Sequence, residues 1–117
     1  MIELYKVSKQ FTEGSSTHTV LKDLDLNISK GEIIILFGKS GSGKSTLLNL
    51  MSGIDLPDKG KVSINGTDIT TLSERERTLI RRNNIGFIFQ SFNLIPTLTV
   101  KENLQLPLEL TGSDNVE

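Results

Sequence analysis

The residues best suited to chemistry in this sequence form a glycine-rich run of eight. The run fits the phosphate-binding pattern G-x-x-x-x-G-K-[ST] and reads Gly38, Lys39, Ser40, Gly41, Ser42, Gly43, Lys44, Ser45. Its glycines allow successive backbone N–H groups to point at phosphate oxygens. We expect Lys44 to reach the β- and γ-phosphates, the Ser45 hydroxyl to ligate Mg²⁺, and Thr46 to add a contact near the α-phosphate. The pattern therefore predicts a nucleoside triphosphate site with Mg²⁺.

Two elements must flank this run for such a site to form. Residues 33–37 are an unbroken apolar run rich in β-branched side chains, which is typical of a strand buried on both faces of a parallel sheet. Residues 44–51 predict a helix that ends near Gly53. The start of that helix would present its positive dipole end and unpaired N–H groups to the bound phosphate.

The first third of the chain reads as strands, and a hairpin is predicted further along. Residues 2–7 and 24–28 have strand composition, and the polar residues 12–18 between them predict a loop that contains His18, the single histidine. Residues 60–70 predict a hairpin around the turn Asn65-Gly66.

Two capping boxes predict helix starts in the remainder. Ser73 with Glu76 opens a charged helix whose arginines are expected to form a solvated face, and Thr99 has the same spacing to Glu102. Residues 85–89 predict a second buried strand. Residues 100–110 are ambiguous, because their leucines alternate as in a strand and Pro107 argues against an unbroken helix.

Composition excludes several classes of function. The chain has 117 residues, enough for one domain, and 13 basic against 14 acidic residues, so no basic excess is available for nucleic acid. It has no cysteine and one histidine, which excludes thiolate chemistry and histidine-based zinc sites. Without a long apolar run or a signal peptide, the composition predicts a soluble, cytoplasmic chain.

The phosphate-binding pattern alone leaves several classes of nucleotide-binding protein open. A GTPase should carry D-x-x-G and N-K-x-D elements, and neither occurs. A helicase would need a basic surplus and a second motif. A kinase with a phosphate-binding loop stays possible, as does a short nucleotide-binding module that does not hydrolyse its ligand.

The residues around the loop resemble the ATP-binding subunits of ABC transporters, more narrowly the branch serving lipoprotein release and macrolide export. The likeness covers nearly the whole chain and is dense over residues 85–96 and 98–103. By this resemblance, Phe11 stacks on adenine, although it could instead simply pack in the first hairpin. Gln90 matches the family's Q-loop, approaching Mg²⁺ and the attacking water and sensing the membrane partner. Taken alone, Gln90 is only a polar residue that ends a strand.

The resemblance implies an α/β fold of the P-loop NTPase type, with an antiparallel β-subdomain and a P-loop strand–helix core. It implies that residues 1–90 form that subdomain and core, and that residues 91–117 form the Q-loop and the start of the helical subdomain. ATP and Mg²⁺ would be the ligands, with Lys44 and Gln90 in catalytic roles. Expected partners are transmembrane permease subunits and a second nucleotide-binding domain, as a homodimer, at the inner face of the membrane.

The chain also departs from the family pattern. The Walker B aspartate, its adjacent glutamate, the signature sequence and the switch histidine find no match in these 117 residues. Because phosphoryl transfer needs several such parts together, we expect ATP binding but no hydrolysis from this chain alone. We also expect an exposed apolar strand edge at residues 33–37 and marginal stability in isolation.

Overall fold

Four antiparallel strands form the sheet of this protein, whose computed structural model describes residues 1–112. β1 (Ile2–Glu13) and β2 (Ser16–Ile28) make a long hairpin, and β3 (Lys59–Ile64) and β4 (Thr67–Asp68) make a short one. β1 pairs with β2 on one side and with β3 on the other, which gives the order β2-β1-β3-β4. This sheet is the antiparallel part of the expected fold.

The two hairpin turns differ in how well the sequence predicts them. The predicted turn at Asn65-Gly66 is confirmed, with φ angles of 49° and 81° that fit a tight hairpin turn. The predicted loop over residues 12–18 is wrong, because both strands extend until only residues 14 and 15 remain between them. The β-branched Thr12 pairs with Thr17, and this cross-strand pairing outweighs the polar composition. His18 accordingly lies in β2, exposed to solvent.

The buried core lies between the sheet and one helix. α1 (Lys44–Met51) follows the glycine-rich run and packs against β1 and β3. The predicted helix over residues 44–51 is thus confirmed. The buried apolar side chains of the described residues are Leu4, Val7, Leu47, Leu50, Met51, Val62, Ile64 and Ile69.

Neither predicted buried strand is a strand in this structure. Residues 33–37 and 85–89 belong to no helix or strand. Ile33 is 91% exposed, Phe37 88% and Ile88 99%, so the predicted burial is also wrong. A parallel strand requires a partner from a crossover connection, and neither segment pairs with any strand of residues 1–112. Apolar surface is therefore exposed at residues 33–37, as expected, but not as the edge of a strand.

Two further helices carry the predicted capping boxes. α2 (Glu74–Asn84) begins after Ser73, whose N–H and hydroxyl both donate to the Glu76 carboxylate. α3 (Val100–Leu110) begins after Thr99, which is bonded in the same way to Glu102.

α3 resolves the ambiguity of residues 100–110 in favour of a helix, with Pro107 inside it. Proline at this position removes one bond, to the carbonyl of residue 103, and only one turn follows it. The alternating leucines had favoured a strand, and the capping box outweighs them.

The chain divides into two compact units, residues 1–77 and the residues from 78 onward, with the boundary inside α2. All eight buried apolar side chains belong to the first unit. Over residues 1–112, no helix has the length and apolar character needed to cross a membrane.

Candidate phosphate-binding site

The glycine-rich run is a tight turn that two left-handed glycines make possible. Gly41 has a φ of 79° and Gly43 a φ of 95°, a region that other residues enter only with strain. Between them, the Ser42 N–H donates to the Lys39 carbonyl over 3.1 Å. Lys39 and Ser40 lie exposed on this turn. The backbone conformation itself therefore requires glycine at positions 41 and 43.

The turn leads directly into the N-terminus of α1. Gly43 is the residue before the first helical position, and no side chain of the described residues caps this end by a hydrogen bond. The first intrahelical bond runs from the Leu47 N–H to the Gly43 carbonyl, at 2.9 Å. The N–H groups of Ser45 and Thr46 therefore have no acceptor within the helix. Such N–H groups and the helix dipole together favour an anion at this end.

Lys44 folds back over the turn that precedes it. Its Nζ donates to the carbonyls of Gly38 (2.6 Å) and Lys39 (2.7 Å) and to Ser42 Oγ (3.3 Å). A Cβ at Gly38 would lie 2.5 Å from that same Ser42 Oγ, so a side chain there would displace the Ser42 hydroxyl. The ammonium ion thus lies against the turn, where phosphate oxygens could replace the neutral oxygens that now accept its hydrogen bonds.

The turn rests on β2, next to a cavity of about 200 Å³. A Cβ at Gly43 would lie 2.7 Å from Val20 Cγ1, so the loop backbone directly contacts this strand. The cavity is lined by Leu21, Leu36, Phe37, Gly38, Ser42, Gly43, Lys44 and Leu47. Contact with β2 therefore limits how closely the loop backbone can approach the sheet. Apolar side chains form part of the cavity wall.

The predicted base-stacking residue lies on the same hairpin as this contact. Phe11 in β1 pairs with His18 in β2, two residues from Val20. Its ring is 42% exposed, so it is not part of the buried core. The Lys9 ammonium lies over the ring, 5.5 Å from its centroid. The hairpin therefore carries both the contact beneath the phosphate loop and an accessible aromatic ring.

Gln90 belongs to the other unit of the chain. It is exposed and follows residues 85–89, where the Phe87 and Phe89 rings contact each other at 4.6 Å between centroids. The loop residues 38–46 are thus together in the first unit, and Gln90 is in the second.

Sequence reasoning assigned no role to two residues with several side-chain contacts. Asn103 accepts from the Ile95 N–H (2.8 Å) and donates to the carbonyls of Ile95, Leu98 and Thr99. Lys9 contacts Phe11, Asp55 and Leu56. The one available signal for Lys9 was its spacing of two residues from Phe11 on a strand, which can place both on one face.

Comparison with known proteins identifies the family. A sequence profile described as ABC transporter matches residues 21–117, most of the chain. The chain belongs to the ABC transporter family. It is 54% identical over 112 residues to the ABC transporter ATP-binding protein Rv0986 of Mycobacterium tuberculosis, covering 96% of this chain and 45% of that protein. The chain thus spans about half the length of the curated relatives it matches.

Two further ABC proteins extend the comparison. The macrolide export ATP-binding/permease protein MacB of Marinobacter nauticus is 42% identical over 112 residues, covering 96% of this chain and 17% of MacB. The ATP-binding cassette MJ0796 of Methanocaldococcus jannaschii, solved as a post-hydrolysis dimer bound to ADP and Pi, superposes with a TM-score of 0.94. It is 43% identical, and the match covers all of this chain and 50% of MJ0796. The chain therefore has the fold of the N-terminal part of an ABC ATP-binding cassette, as the sequence predicted.

Proposed function

We propose that this protein binds Mg-ATP through residues 38–46 and serves as the ATP-binding component of an ABC transporter. The observation that carries the proposal is the left-handed glycine turn that leads into the uncapped start of α1, with the Lys44 ammonium against it. Backbone N–H groups of the turn and of α1 would bind phosphate oxygens. Lys44 would exchange its three neutral acceptors for the β- and γ-phosphates.

The roles of the remaining residues follow from the resemblance. Phe11 would stack on the adenine ring, which its exposed ring permits. Ser45 would ligate Mg²⁺ through its hydroxyl, with Gln90 near the metal and the attacking water. Residues 1–112 contain no group of three or more histidine, aspartate or glutamate side chains that could hold a metal ion. A Mg²⁺ ion bound there would thus take the Ser45 hydroxyl and the nucleotide's own phosphate oxygens as ligands.

The activity of the whole subunit is part of the same proposal. We infer that it hydrolyses ATP and that this powers transport of a substrate by an ABC transporter of the efflux or lipoprotein-release type. The word export in the name of MacB supports transport in the outward direction. The 117-residue chain alone is expected to bind ATP without turnover, because the residues that complete phosphoryl transfer in the family find no match in it.

The partners follow the same reasoning. The dimeric state of MJ0796 supports a second copy of the nucleotide-binding domain as one partner. The name of MacB, which joins an ATP-binding protein to a permease, supports a transmembrane permease as the other. Through that permease the protein would lie at the inner face of the membrane. Residues 1–90 would form the β-subdomain and P-loop core, and residues 91–117 the Q-loop and the start of the helical subdomain.

Replacing the loop lysine tests the proposed site. Lys44→Ala should weaken binding of Mg-ATP on the order of tenfold to a hundredfold, because charge-assisted hydrogen bonds to phosphate are lost. Isothermal titration calorimetry of the purified protein measures the affinity. Lys61→Ala, a substitution in β3 outside the loop, is the control and should bind as the unsubstituted protein does. Equal affinity of the Lys44→Ala variant would overturn the proposal.

A further inference from the structure

Lys9 is the residue that joins Phe11 to the chain following the phosphate-loop helix. Its Nζ lies 3.1 Å from both carboxylate oxygens of Asp55 and donates to the Leu56 carbonyl over 2.8 Å. The same ammonium ion lies over the Phe11 ring, 5.5 Å from the centroid. The Lys9 side chain is only 12% exposed. A single charged group therefore contacts both the aromatic ring and the segment 55–58.

The segment 55–58 is fixed to β1 on both sides of Lys9. The Asp58 N–H donates to the Ser8 carbonyl over 2.9 Å, and the Gln10 N–H donates to Asp58 Oδ2 over 2.7 Å. Asp55 also caps its own turn by accepting from the Leu56 N–H at 2.8 Å. These bonds hold the Asp55 carboxylate at a set position beside the strand that carries Phe11.

The same segment is also joined to α1. The Asp55 N–H donates to the carbonyl of Asn49, in α1, over 3.1 Å. α1 begins at Lys44, directly after the phosphate loop. A continuous set of contacts therefore runs from the Phe11 ring through Lys9 and Asp55 to α1.

We propose that Lys9 is a positioning residue for nucleotide binding: it holds the Phe11 ring at a fixed place relative to the phosphate loop, so that an aromatic base can stack there. The proposal rests on the proposed function, which assigns base stacking to Phe11. The ammonium lies over the ring and is attracted by its π-electrons, and Phe11 is 42% exposed, so a base would stack on the side of the ring turned away from Lys9. Lys9 would thus add affinity for a nucleotide but none for a triphosphate without a base.

The experiment compares Mg-ATP with inorganic tripolyphosphate in the presence of Mg²⁺, by calorimetry on the full-length protein as its host produces it. Lys9→Met keeps the length of the side chain and removes its charge. It should lower the affinity for Mg-ATP about fivefold and change the affinity for tripolyphosphate less than about twofold. Phe11→Ala should weaken Mg-ATP on the order of tenfold, again without affecting tripolyphosphate. Lys9→Arg, which keeps the charge, should restore Mg-ATP binding.

The chain offers a matched control for Lys9. Lys6, in the same strand, places its ammonium 5.6 Å from the centroid of the Tyr5 ring, which is 60% exposed. Lys6→Met removes a lysine–aromatic pair of the same kind that lies outside the proposed site. It should leave the affinities for both ligands unchanged. A Lys9→Met effect that Lys6→Met reproduces would overturn the proposal.

Coupling between the two residues provides a second readout. If Lys9 acts through the Phe11 ring, the double variant Lys9→Met/Phe11→Ala should bind Mg-ATP within about twofold of Phe11→Ala alone. Additive losses would contradict the proposed role. Where Lys9→Met does not fold, Asp55→Asn removes the counter-charge and should cause a smaller selective loss of Mg-ATP affinity, about twofold to threefold. An equal loss for both ligands would show a role in folding of the loop instead and would overturn the proposal.

The two proposals fail in distinguishable ways. If Lys44→Ala leaves both affinities unchanged, the proposed function fails, and the positioning role of Lys9 fails with it. The other outcome is that Lys44→Ala weakens the binding of both ligands while Lys9→Met and Phe11→Ala leave the ratio of the Mg-ATP affinity to the tripolyphosphate affinity unchanged. In that case phosphate binding stands, and only the role of Lys9 is wrong.

Discussion

The segments 2–7 and 33–37 both have strand composition in the sequence, and they differ in their hydrogen-bonding partners. Residues 2–7 belong to β1, which pairs with β2 and β3, and they bury Leu4 and Val7. In residues 33–37, Ile33 and Phe37 are almost fully exposed, and the segment pairs with no strand of the described chain, residues 1–112. Both segments have the composition of a strand, and only residues 2–7 have a neighbouring strand to pair with.

This difference shows how strand partners are specified. β1 obtains its first partner through a turn of two residues, so pairing follows from local chain direction. A strand in a parallel sheet needs a partner brought back by a crossover connection of a dozen or more residues. The composition of residues 33–37 indicates such a strand but does not identify the strand that it would pair with. The apolar surface of this segment is therefore left exposed, directly before the phosphate loop.

The largest expected effect separates the two kinds of apolar residue. Leu50→Ala, in the core, should lower the free energy of unfolding by about 2–5 kcal/mol, because it leaves a cavity beneath the sheet. Ile33→Ala, at an exposed position, should change it by about 0.5 kcal/mol or less. Urea denaturation of the 117-residue chain, followed by circular dichroism, measures the effect of Ile33→Ala, and the circular dichroism signal without urea shows whether Leu50→Ala is folded. Since we expect this chain to be marginally stable, Leu50→Ala should be unfolded even without urea. Equal effects of the two substitutions would contradict the comparison.

The same contrast explains which elements the sequence predicts. The Asn65-Gly66 turn and both capping boxes depend on residues within three or four positions of each other, and all three are confirmed. The strands over residues 33–37 and 85–89 depend on distant partners, and both predictions are wrong here. The loop over residues 12–18 fails for a related reason, because pairing across the hairpin extends strands into a polar sequence.

The candidate site divides along the same line. Residues 38–45 could be selected from the sequence because a phosphate-binding turn has a fixed local spacing of glycine, lysine and serine. The contact of Gly43 with Val20 and the ion pair of Lys9 with Asp55 could not, since they join residues 23 and 46 positions apart through the folded chain. Three-dimensional packing alone brings those residues together.

Substitution of the two left-handed glycines sharpens the comparison between local and distant requirements. Gly41→Ala should cost about 1 kcal/mol from backbone strain alone, because a Cβ there meets nothing within 4 Å. Gly43→Ala should cost about 1–3 kcal/mol more, because its Cβ would clash with Val20 Cγ1. Denaturation midpoints measure the difference.

A double variant isolates the clash. Val20→Ala removes the methyl groups that oppose a side chain at position 43, so Gly43→Ala should be less destabilising in that background. The residual cost should then approach that of Gly41→Ala. If Val20→Ala does not reduce the penalty, the contact between β2 and the loop does not limit position 43.

Helix α3 has a capping box at its start but no buried side chains, so local interactions alone are expected to stabilise it. None of its side chains is buried, whereas α1 buries Leu47, Leu50 and Met51. Thr99→Ala removes the cap and should cost about 1 kcal/mol of local stability, measured by hydrogen exchange of the α3 amides. Amides of α1 should be unaffected, because core packing stabilises that helix. Equal changes in both helices would show that α3 is not stabilised locally.

The smallest effect is a pH dependence of that same cap. The Thr99 N–H and, next, its hydroxyl bond to the carboxylate of Glu102 and hold the pKa of this exposed group below its ordinary value. Because the folded pKa is the lower one, the cap stabilises α3 above the ordinary pKa of glutamate and loses this contribution as pH falls through the lowered value. Hydrogen exchange of the α3 amides at a series of pH values below 5 should therefore show progressive loss of protection.

Glu76 provides the internal control for this titration. The Ser73 hydroxyl and, next, its N–H lower the pKa of Glu76 in the same manner at the start of α2. Thr99→Ala removes the hydroxyl but keeps the N–H, so carbon-detected NMR should find the pKa of Glu102 raised only part of the way towards its ordinary value, with that of Glu76 still lowered. A shift of both groups would mean that the overall charge of the chain sets their titration. A shift of Glu102 alone assigns the pH dependence of α3 to its own first turn, where no distant partner is needed.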